Sequence, residues 1–486
     1  MKKNLSLLIC LICTVSFSQE MVKSTVLNIS KNARVFQIVE ENKKQVSLFF
    51  VAKKNVLSVR FDENFNVIDS LTTEKPSKDY DDIIGYSLSG NKYYTYWSSS
   101  NGKELLSQCF DFETRTVTSK PFSIPLEKER IIKRITVNNV FYIISILKNT
   151  GILYFYVVKD GIVERKSVDL TAKRFLDKED KVTSLWDIVS SATDFEMPYL
   201  FQTISNESPP SLTFSANKRK LYVLENKLLF TLDINRRFTQ TFNIDLTDFS
   251  TTTKMFVQPS FPKDVQSSND NDQFGSYDVD SNSFFLDDKM VQIKINSDFI
   301  KLSVKDLKGI ETKNFLINSQ EISFKNSDIY QENGSVKSQR ILDESGQLIR
   351  KINGLNPSIS LYEANQKIFM VIGGVSLIQQ NNAIMIGAIA GGFTGALIGA
   401  ALSSNYSLNN LNSYQQRKVV YINCLFDKDF NHIKGEVEKT SFDTLRAFSE
   451  SNDNLVTPVI FKMNSSLFYG GFDKQIGNYS FYKFNE

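Results

Sequence analysis

The sequence predicts an all-β protein built from repeated four-stranded units. Short apolar or alternating runs separated by turns dominate the chain, and this pattern is typical of β-strands. Examples are Val46–Ala52, Tyr93–Trp97, Val140–Leu147 and Leu153–Val158. A second observation is a recurring turn, in which apolar residues lead into an Asp, a few turn residues follow, and a new strand begins.

The recurring Asp sets the length of the unit. Asp suits such a turn because its side chain accepts hydrogen bonds from the backbone that follows it. The intervals between copies are 49, 49, 73, 73, 37 and 84 residues. A unit of four short strands takes about 40–50 residues, so the longer intervals predict insertions. The copies are Asp62, Asp111, Asp160, Asp233, Asp306, Asp343 and Asp427.

This repeat resembles the β-propeller superfold, at the level of the repeat and not of any one family. The turn copies, with a C-terminal unit over 457–486, predict seven or eight blades in one domain over 19–486. That C-terminal unit shows about three strands, and residues 24–30 are expected to supply its fourth. The alternative is a series of tandem β-sandwich domains.

Residues 1–18 have the three parts of a secretory signal peptide. Lys2 and Lys3 form the positive start, Leu5–Val15 is apolar, and Ser16 and Ser18 precede a cut before Gln19. The mature chain is therefore expected to be exported in a bacterium, to the periplasm, the outer membrane or the cell surface.

A glycine-rich insertion is predicted over 376–416, in a late blade. Four glycines recur at every fourth position, and residues i and i+4 share a helix face. The pattern predicts a helix with one flat, small-residue side that packs closely against another backbone. The glycines and the bulky apolar residues of this stretch are Gly387, Gly391, Gly395, Gly399, Ile389, Phe393 and Leu397.

This stretch resembles the glycine-zipper segments of bacterial envelope proteins. The resemblance implies association with a membrane or with copies of the same chain. The length of the apolar part, about 20 residues over Ala383–Leu402, favours a membrane. No Lys or Arg flanks Ala383–Leu402, which argues against a membrane. The alternative is a helix or Gly-rich loop packed on its own domain.

Two other segments interrupt the strands. In 172–217, Val182, Leu185, Trp186 and Val189 have helical spacing, so this insertion is predicted to be partly helical. Residues 262–283 are polar and acidic, and they predict a long loop.

The polar loop contains a candidate metal site. Asp278, Asp280 and Asn282 have the spacing of the first ligands in a calcium loop. Ser283 stands where such loops need Gly, and Lys289 replaces the closing Glu. A solvated loop without metal is therefore the favoured interpretation.

Several residue types restrict the chemistry. A net charge of +3 gives no argument for binding nucleic acid, and one histidine, His432, argues against His-dependent triads and His-ligated zinc or haem. Cys109 and Cys424 are predicted to be buried free thiols, because units so far apart would not bring them together. The aromatic strand Tyr93–Trp97 is expected to be core, with a ligand-binding face as the alternative.

The sequence favours a cell-envelope binding or scaffold protein that is not an enzyme and needs no cofactor. Its expected partners are envelope proteins or its own copies through the glycine zipper, or a membrane, and not nucleic acid. The alternatives are a membrane-inserting or pore-forming protein and a propeller hydrolase.

Overall fold

A computed structural model describes residues 20–77, 79–99, 102, 104–193, 195–261, 279–377, 405–415 and 417–485. The chain forms two compact units. The first combines the residues up to Thr72 with those from Lys439 onward, and the second spans Thr73–Glu438.

The first unit contains two four-stranded antiparallel sheets. One sheet has the order β2 (Arg34–Glu40), β3 (Gln45–Val51), β4 (Asn55–Phe61) and β5 (Val67–Glu74). The other has the order β1 (Glu20–Thr25), β32 (Tyr479–Phe484), β31 (Ser466–Asp473) and β30 (Leu455–Met463). Helix α5 (Ser441–Ser451) precedes β30.

The second of these sheets joins the two ends of the described chain. As predicted, an N-terminal strand completes the C-terminal unit, but it is β1 at residues 20–25 and not 24–30, with Glu20 opposite Lys483. Aromatic rings fill the core of this unit, where Phe65 stacks on Phe481 with ring centroids 4.4 Å apart.

The second unit contains five sheets of four or five strands. Two of them have the orders β6 (Tyr80–Ser89), β7 (Lys92–Ser99), β8 (Leu105–Asp111), β9 (Thr116–Phe122), and β10 (Glu129–Val137), β11 (Val140–Leu147), β12 (Ile152–Lys159), β13 (Ile162–Asp169). A short hairpin follows, formed by β14 (Phe175–Leu176) and β15 (Val182–Thr183).

The remaining three sheets carry the larger insertions. The first has the order β16 (Gln202–Ile204), β17 (Arg219–Leu224), β18 (Lys227–Leu232), β19 (Phe238–Asp245) and β20 (Thr251–Val257). The second has the order β21 (Asp280–Leu286), β22 (Lys289–Ile295), β23 (Ile300–Lys305) and β24 (Glu311–Ile317). The third has the order β26 (Arg340–Leu342), β25 (Ile329–Asn333), β29 (Lys418–Phe426), β28 (Lys367–Val375) and β27 (Asn356–Ala364). All pairs are antiparallel except β16 with β17.

Helices are few and short in the described part of the second unit. They are α1 (Leu185–Ser190), α2 (Leu212–Ser215), α3 (Ser345–Asn353) and α4 (Tyr406–Asn412). Helix α1 lies in the predicted place, capped by Ser184, whose hydroxyl accepts a hydrogen bond from Asp187 N.

The all-β fold class is confirmed, and the repeated unit is the antiparallel four-stranded sheet of a propeller blade. The described residues contain five such sheets and two five-stranded sheets, and the total of seven is within the predicted seven or eight. In five of them consecutive strands are neighbours, whereas a tandem β-sandwich would need strands that cross between facing sheets. The fold is therefore β-propeller-like, with blades of four or five strands.

The Asp turns were assigned correctly in most sheets. Asp306, for example, accepts hydrogen bonds from Lys308 N and Ile310 N through Oδ1, both at 2.9 Å. The residues at the turn that follows the third strand of a unit are Asp62, Asp111, Asp160, Asp245, Asp306 and Asp427. The seventh sheet has no such turn, because its neighbouring strands β32 and β1 lie at opposite ends of the described chain.

Two of the predicted copies are wrong. Asp233 is not the turn residue of its sheet, since Asp245 occupies that place before β20 and accepts a hydrogen bond from Thr247 N. Asp233 is buried and bonded to Lys220 instead. Asp343 is followed by helix α3 and not by a strand. A turn motif in a sequence does not show whether the Asp faces solvent, and this decides its role.

The predicted polar loop also ends earlier than 283. Residues 280–283 belong to strand β21, and Ser281, Asn282 and Ser283 are buried. Residues 262–278 lie outside the described part. Polar residues occupy this buried strand because each finds a hydrogen-bond partner, such as Pro357 O for Asn282 Nδ2 at 3.0 Å.

Replacing Asp233 by Ala should destabilise the second unit far more than replacing Asp306 by Ala. Loss of Asp233 leaves the buried ammonium of Lys220 without its counter-charge, at an expected cost of about 3–5 kcal/mol. Loss of the exposed turn bonds of Asp306 should cost about 1 kcal/mol. The free energy of unfolding in urea measures both, and equal costs for the two variants would contradict these assignments.

Candidate functional site at the base of the glycine-rich insertion

The glycine-rich insertion leaves and rejoins the sheet between two paired strands. Strand β28 ends at Val375, which lies opposite Val419 near the start of β29. Ser376 N donates to Lys418 O at 2.8 Å, and Lys418 N donates to Ser376 Oγ at 2.9 Å. The two ends of the insertion are therefore bonded to each other.

The described return segment of the insertion is held by a buried asparagine on α4. Asn410 is fully buried, and its Oδ1 accepts from Ser211 N at 2.8 Å. Its Nδ2 donates to Pro209 O at 2.8 Å and to Ser208 Oγ at 3.2 Å. One amide side chain thus fastens α4 to the 208–211 segment.

Two further side chains extend this contact. Ser413 Oγ donates to Ser211 Oγ at 2.8 Å, and the Tyr414 hydroxyl accepts from Leu212 N at 3.2 Å. We call the set of Asn410, Ser413 and Tyr414 with residues 208–212 the clamp.

The 208–217 side of the clamp is in turn bonded to two strands. Ser360 Oγ of β27 donates to Pro210 O at 2.6 Å, and Ser358 Oγ donates to Leu212 O at 2.8 Å. Asn282 Nδ2 of β21 donates to Ala216 O at 2.9 Å. The insertion 172–217 therefore serves as a support for the other insertion, which the sequence did not indicate.

Arg417 closes the base on the return side. Its Nη1 donates to Ser376 O at 2.8 Å, and its guanidinium lies over the Phe195 ring at 4.8 Å from the centroid. Burial lowers the pKa of Arg417 to about 10, which keeps the group charged at neutral pH. Arg417 thus bonds the chain where it leaves β28, and its guanidinium forms a cation–π contact with the Phe195 ring.

Two buried ion pairs lie on β17, which follows the 208–217 side of the clamp in the chain. Glu196 Oε1 accepts from Arg219 Nε at 2.8 Å, and Arg219 also donates to Val189 O and Ser191 O. Lys220 Nζ donates to Asp233 Oδ2 at 2.9 Å. These pairs order the polar interior around 189–233, because each charge is bonded where water is absent.

The candidate calcium ligands are only partly described. Asp280 Oδ1 accepts from Lys218 Nζ at 2.8 Å, and Asn282 Oδ1 accepts from Lys220 Nζ at 2.6 Å. Both oxygens therefore already bond lysine ammonium groups. Asp278 lies outside the described residues, so the calcium site stays a prediction.

The residues predicted to mediate association also lie outside the described part of the chain. They are Gly387, Gly391, Gly395, Gly399, Ile389, Phe393 and Leu397. Among the helices that the structure describes, none is both long and apolar enough to cross a membrane. No group of three or more Asp, Glu, Cys or His side chains suited to a metal is found in residues 20–377 and 405–485 where they are described.

Other predicted residues are placed as follows. Tyr93, Tyr96 and Trp97 are fully buried, so the aromatic strand is core, as expected. Cys109 and Cys424 are free thiols, but only Cys424 is buried, and Cys109 on β8 is partly exposed.

His432 is not fully solvated. It forms an isolated bridge with Phe426, and its Nε2 lies 3.1 Å from Asn326 Oδ1. Its ring also lies edge-on to Phe426, with centroids 6.0 Å apart.

The carboxyl groups of Asp287 and Glu363 have pKa values shifted in opposite directions. A hydrogen bond to Glu363 and burial raise the pKa of Asp287 to about 6, while the same bond and Lys428 lower the pKa of Glu363. Lys428 Nζ lies 2.6 Å from Glu363 Oε1. The two carboxyls thus share one proton over part of the acidic range.

Comparison with known proteins assigns no family to the chain. No protein family and no curated protein matches the sequence. Among solved structures, the WD40 domain of SCAP from fission yeast matches with 10% identity and a TM-score of 0.30, over 96% of this chain and 98% of that one.

Structures of an enzyme match as well. The Synechocystis apocarotenoid oxygenase mutant T136A matches with 8% identity and a TM-score of 0.28, over 57% of this chain and 59% of that one. An ACO/RPE65 chimera has the same identity and score, and this chain covers 58% of it. The chain thus spans under two thirds of these proteins.

The expectation that this chain is not an enzyme is contradicted by these matches, because an apocarotenoid oxygenase is among them. That expectation depended on the lack of known catalytic motifs in the sequence, and a fold of this kind can bear a catalytic site without those motifs. TM-scores of 0.30 and below transfer no reaction, substrate or cofactor to this chain.

Replacing Asn410 by Ala should loosen the clamp. The change leaves Ser211 N and Pro209 O without their buried partner, at an expected cost of about 2–4 kcal/mol. Limited proteolysis should then cut faster within 205–216 and 405–415. Asn412→Ala, at an exposed position of α4, is the matched control, and equal cutting rates for both variants would refute the role of Asn410.

Replacing Asp287 by Asn should remove a pH-dependent contribution to stability. The raised pKa of Asp287 means that its contribution is complete below its ordinary value of 3.8 and is lost as the pH rises through about 6. Wild type should therefore lose stability relative to the variant over this range, by less than about 1 kcal/mol because Asp287 is exposed. Urea unfolding across this range measures it, with Asp298→Asn as control, and a constant difference would disprove the shared proton.

Proposed function

We propose that the chain is an exported cell-envelope binding or scaffold protein whose glycine-zipper segment mediates membrane association or self-association. The blade-like sheets provide the body, and the uncharged segment between Ile368 and Gln416 provides the attachment. The signal peptide predicted over 1–18 supports export, and it remains a proposal.

The observation that carries the proposal is the construction of the insertion's base. Ser376 and Lys418 are bonded to each other, and Asn410 is buried against 208–211. Such a base holds both ends of the insertion together at one end of the sheet. An attachment segment needs this support, because a force on the segment would otherwise open the pairing of β28 with β29.

The support is polar and specific, which favours a built attachment over an accidental loop. A loop of more than about 15 residues without function is uncommon in a compact domain. Here a second insertion, 172–217, contributes backbone carbonyls that bond Asn410, Ser358 and Ser360. Two insertions that support each other have a shared role, and attachment is the role that the apolar sequence suggests.

Envelope fractionation tests this function. Replacing 378–404 with a Gly/Ser linker of equal length keeps the strand pairing and removes the apolar side chains. We expect wild type to sediment with membranes and the variant to stay soluble. The control replaces 262–278 in the same way and should behave as wild type.

The outcomes separate the two modes of attachment. If the variant and wild type fractionate alike, membrane association fails. If wild type alone forms a larger species in size-exclusion chromatography without membranes, self-association is the mode. Release of dye from vesicles by wild type, but not by Gly391→Leu, would favour the alternative of a pore-forming protein.

A further inference from the structure

Four cationic side chains meet at the sheet end where the insertion begins and ends. Lys418 opens β29 and pairs with Asn333 at the end of β25. Arg340 opens β26 and pairs with Gln331, two residues earlier on β25. Both cations therefore lie at the end of the sheet that holds Val375 and Ser376.

Helix α3 brings the other two cations to the same end. The helix ends at Asn353, and β27 begins at Asn356, which is paired with Val375. Close packing fixes the helix there, because a Cβ added to Gly374 would lie 3.0 Å from Ile352 Cγ2. Arg350 and Lys351 are in its last turn, where cations also interact favourably with the helix dipole.

The four charges act on one another. Burial, followed by Lys418, Arg340 and Arg350, lowers the pKa of Lys351. Within the described part of the chain, no salt bridge involves any of the four. We call Arg340, Arg350, Lys351 and Lys418 the basic rim.

Nearby carboxylates do not neutralise the rim. Asp343 and Glu344 precede the opposite end of α3. Glu332 is buried on β25, where its Oε1 accepts from the Tyr421 hydroxyl at 2.6 Å. A concentration of like charge costs stability, so a partner that supplies negative charge is expected.

We propose that the basic rim binds the phosphate groups of anionic lipids at a membrane surface. The rim lies where an uncharged, largely apolar run of sequence leaves the fold, which is where cations are found beside membrane-inserted segments. The glycine-rich stretch Ala383–Leu402 has no Lys or Arg beside it in the sequence, and the fold supplies cations from α3, β26 and the start of β29. This inference rests on the proposed membrane association and names the surface that is recognised.

Vesicle sedimentation tests the rim. The probes are vesicles of phosphatidylcholine alone and of phosphatidylcholine with about one third phosphatidylglycerol. Wild type should prefer the anionic vesicles, and the preference should fall as salt screens the charges. Arg350→Gln/Lys351→Gln should weaken binding to anionic vesicles about twenty-fivefold, since each basic residue near such a surface contributes about fivefold.

Lys173→Gln/Arg174→Gln is the matched control, because it removes the same two charges from an exposed segment of the same unit. It should bind as wild type does. Thermal unfolding of both variants checks that they are folded. Equal weakening by both pairs, no weakening by the rim pair, or no preference for anionic vesicles would each overturn the proposal.

The Gly/Ser replacement of 378–404 separates this inference from the proposed function. If that replacement abolishes binding to all vesicles while the rim variant binds as wild type, attachment stands and the rim has no lipid role. If the rim variant loses anionic binding while the replacement keeps it, the rim binds lipid and the glycine segment is not the attachment.

Discussion

The antiparallel pairing of β28 with β29 is the constraint on which the functional interpretation depends. Val375 lies opposite Val419, so the chain leaves the sheet and returns to it at neighbouring strands, about 4.8 Å apart. A single helical pass through a bilayer would separate its ends by about 30 Å. The pairing therefore keeps both ends of the insertion on one side of any membrane.

Polar contacts hold the base of the insertion together with a buried apolar cluster around Leu212, Val375 and Val419. The side-chain amide of Asn410 forms hydrogen bonds with three partners in 208–211. Ser358 and Ser360 donate hydrogen bonds to backbone carbonyls in the same part of the chain. Buried hydrogen bonds have fixed directions, so they specify one arrangement where apolar contacts would allow several. The ion pairs of Arg219 and Lys220 extend this specificity into the sheets beneath.

Charge is distributed unevenly around this base. Arg417 is partly buried and donates to Ser376 O, just after β28, whereas the basic rim at the same sheet end forms no salt bridge in the described residues. The first cation has a structural role within the protein. The others are arranged for a partner that lies outside it, and a lipid surface fits the apolar sequence that emerges between them.

The sequence by itself determined the all-β class, the repeat, the helix at 185–190 and the place of the insertion between two strands of one sheet. These depend on local patterns, namely alternation, turn chemistry and capping, which neighbouring residues carry. Tertiary structure decided that Asp233 is a buried ion-pair partner and not a turn residue, since burial depends on distant strands. Tertiary structure also brought together the residues of the clamp and those of the basic rim, which are far apart in sequence. Asn410 and Ser211, or Lys351 and Lys418, meet only because strand pairing and helix packing bring them together.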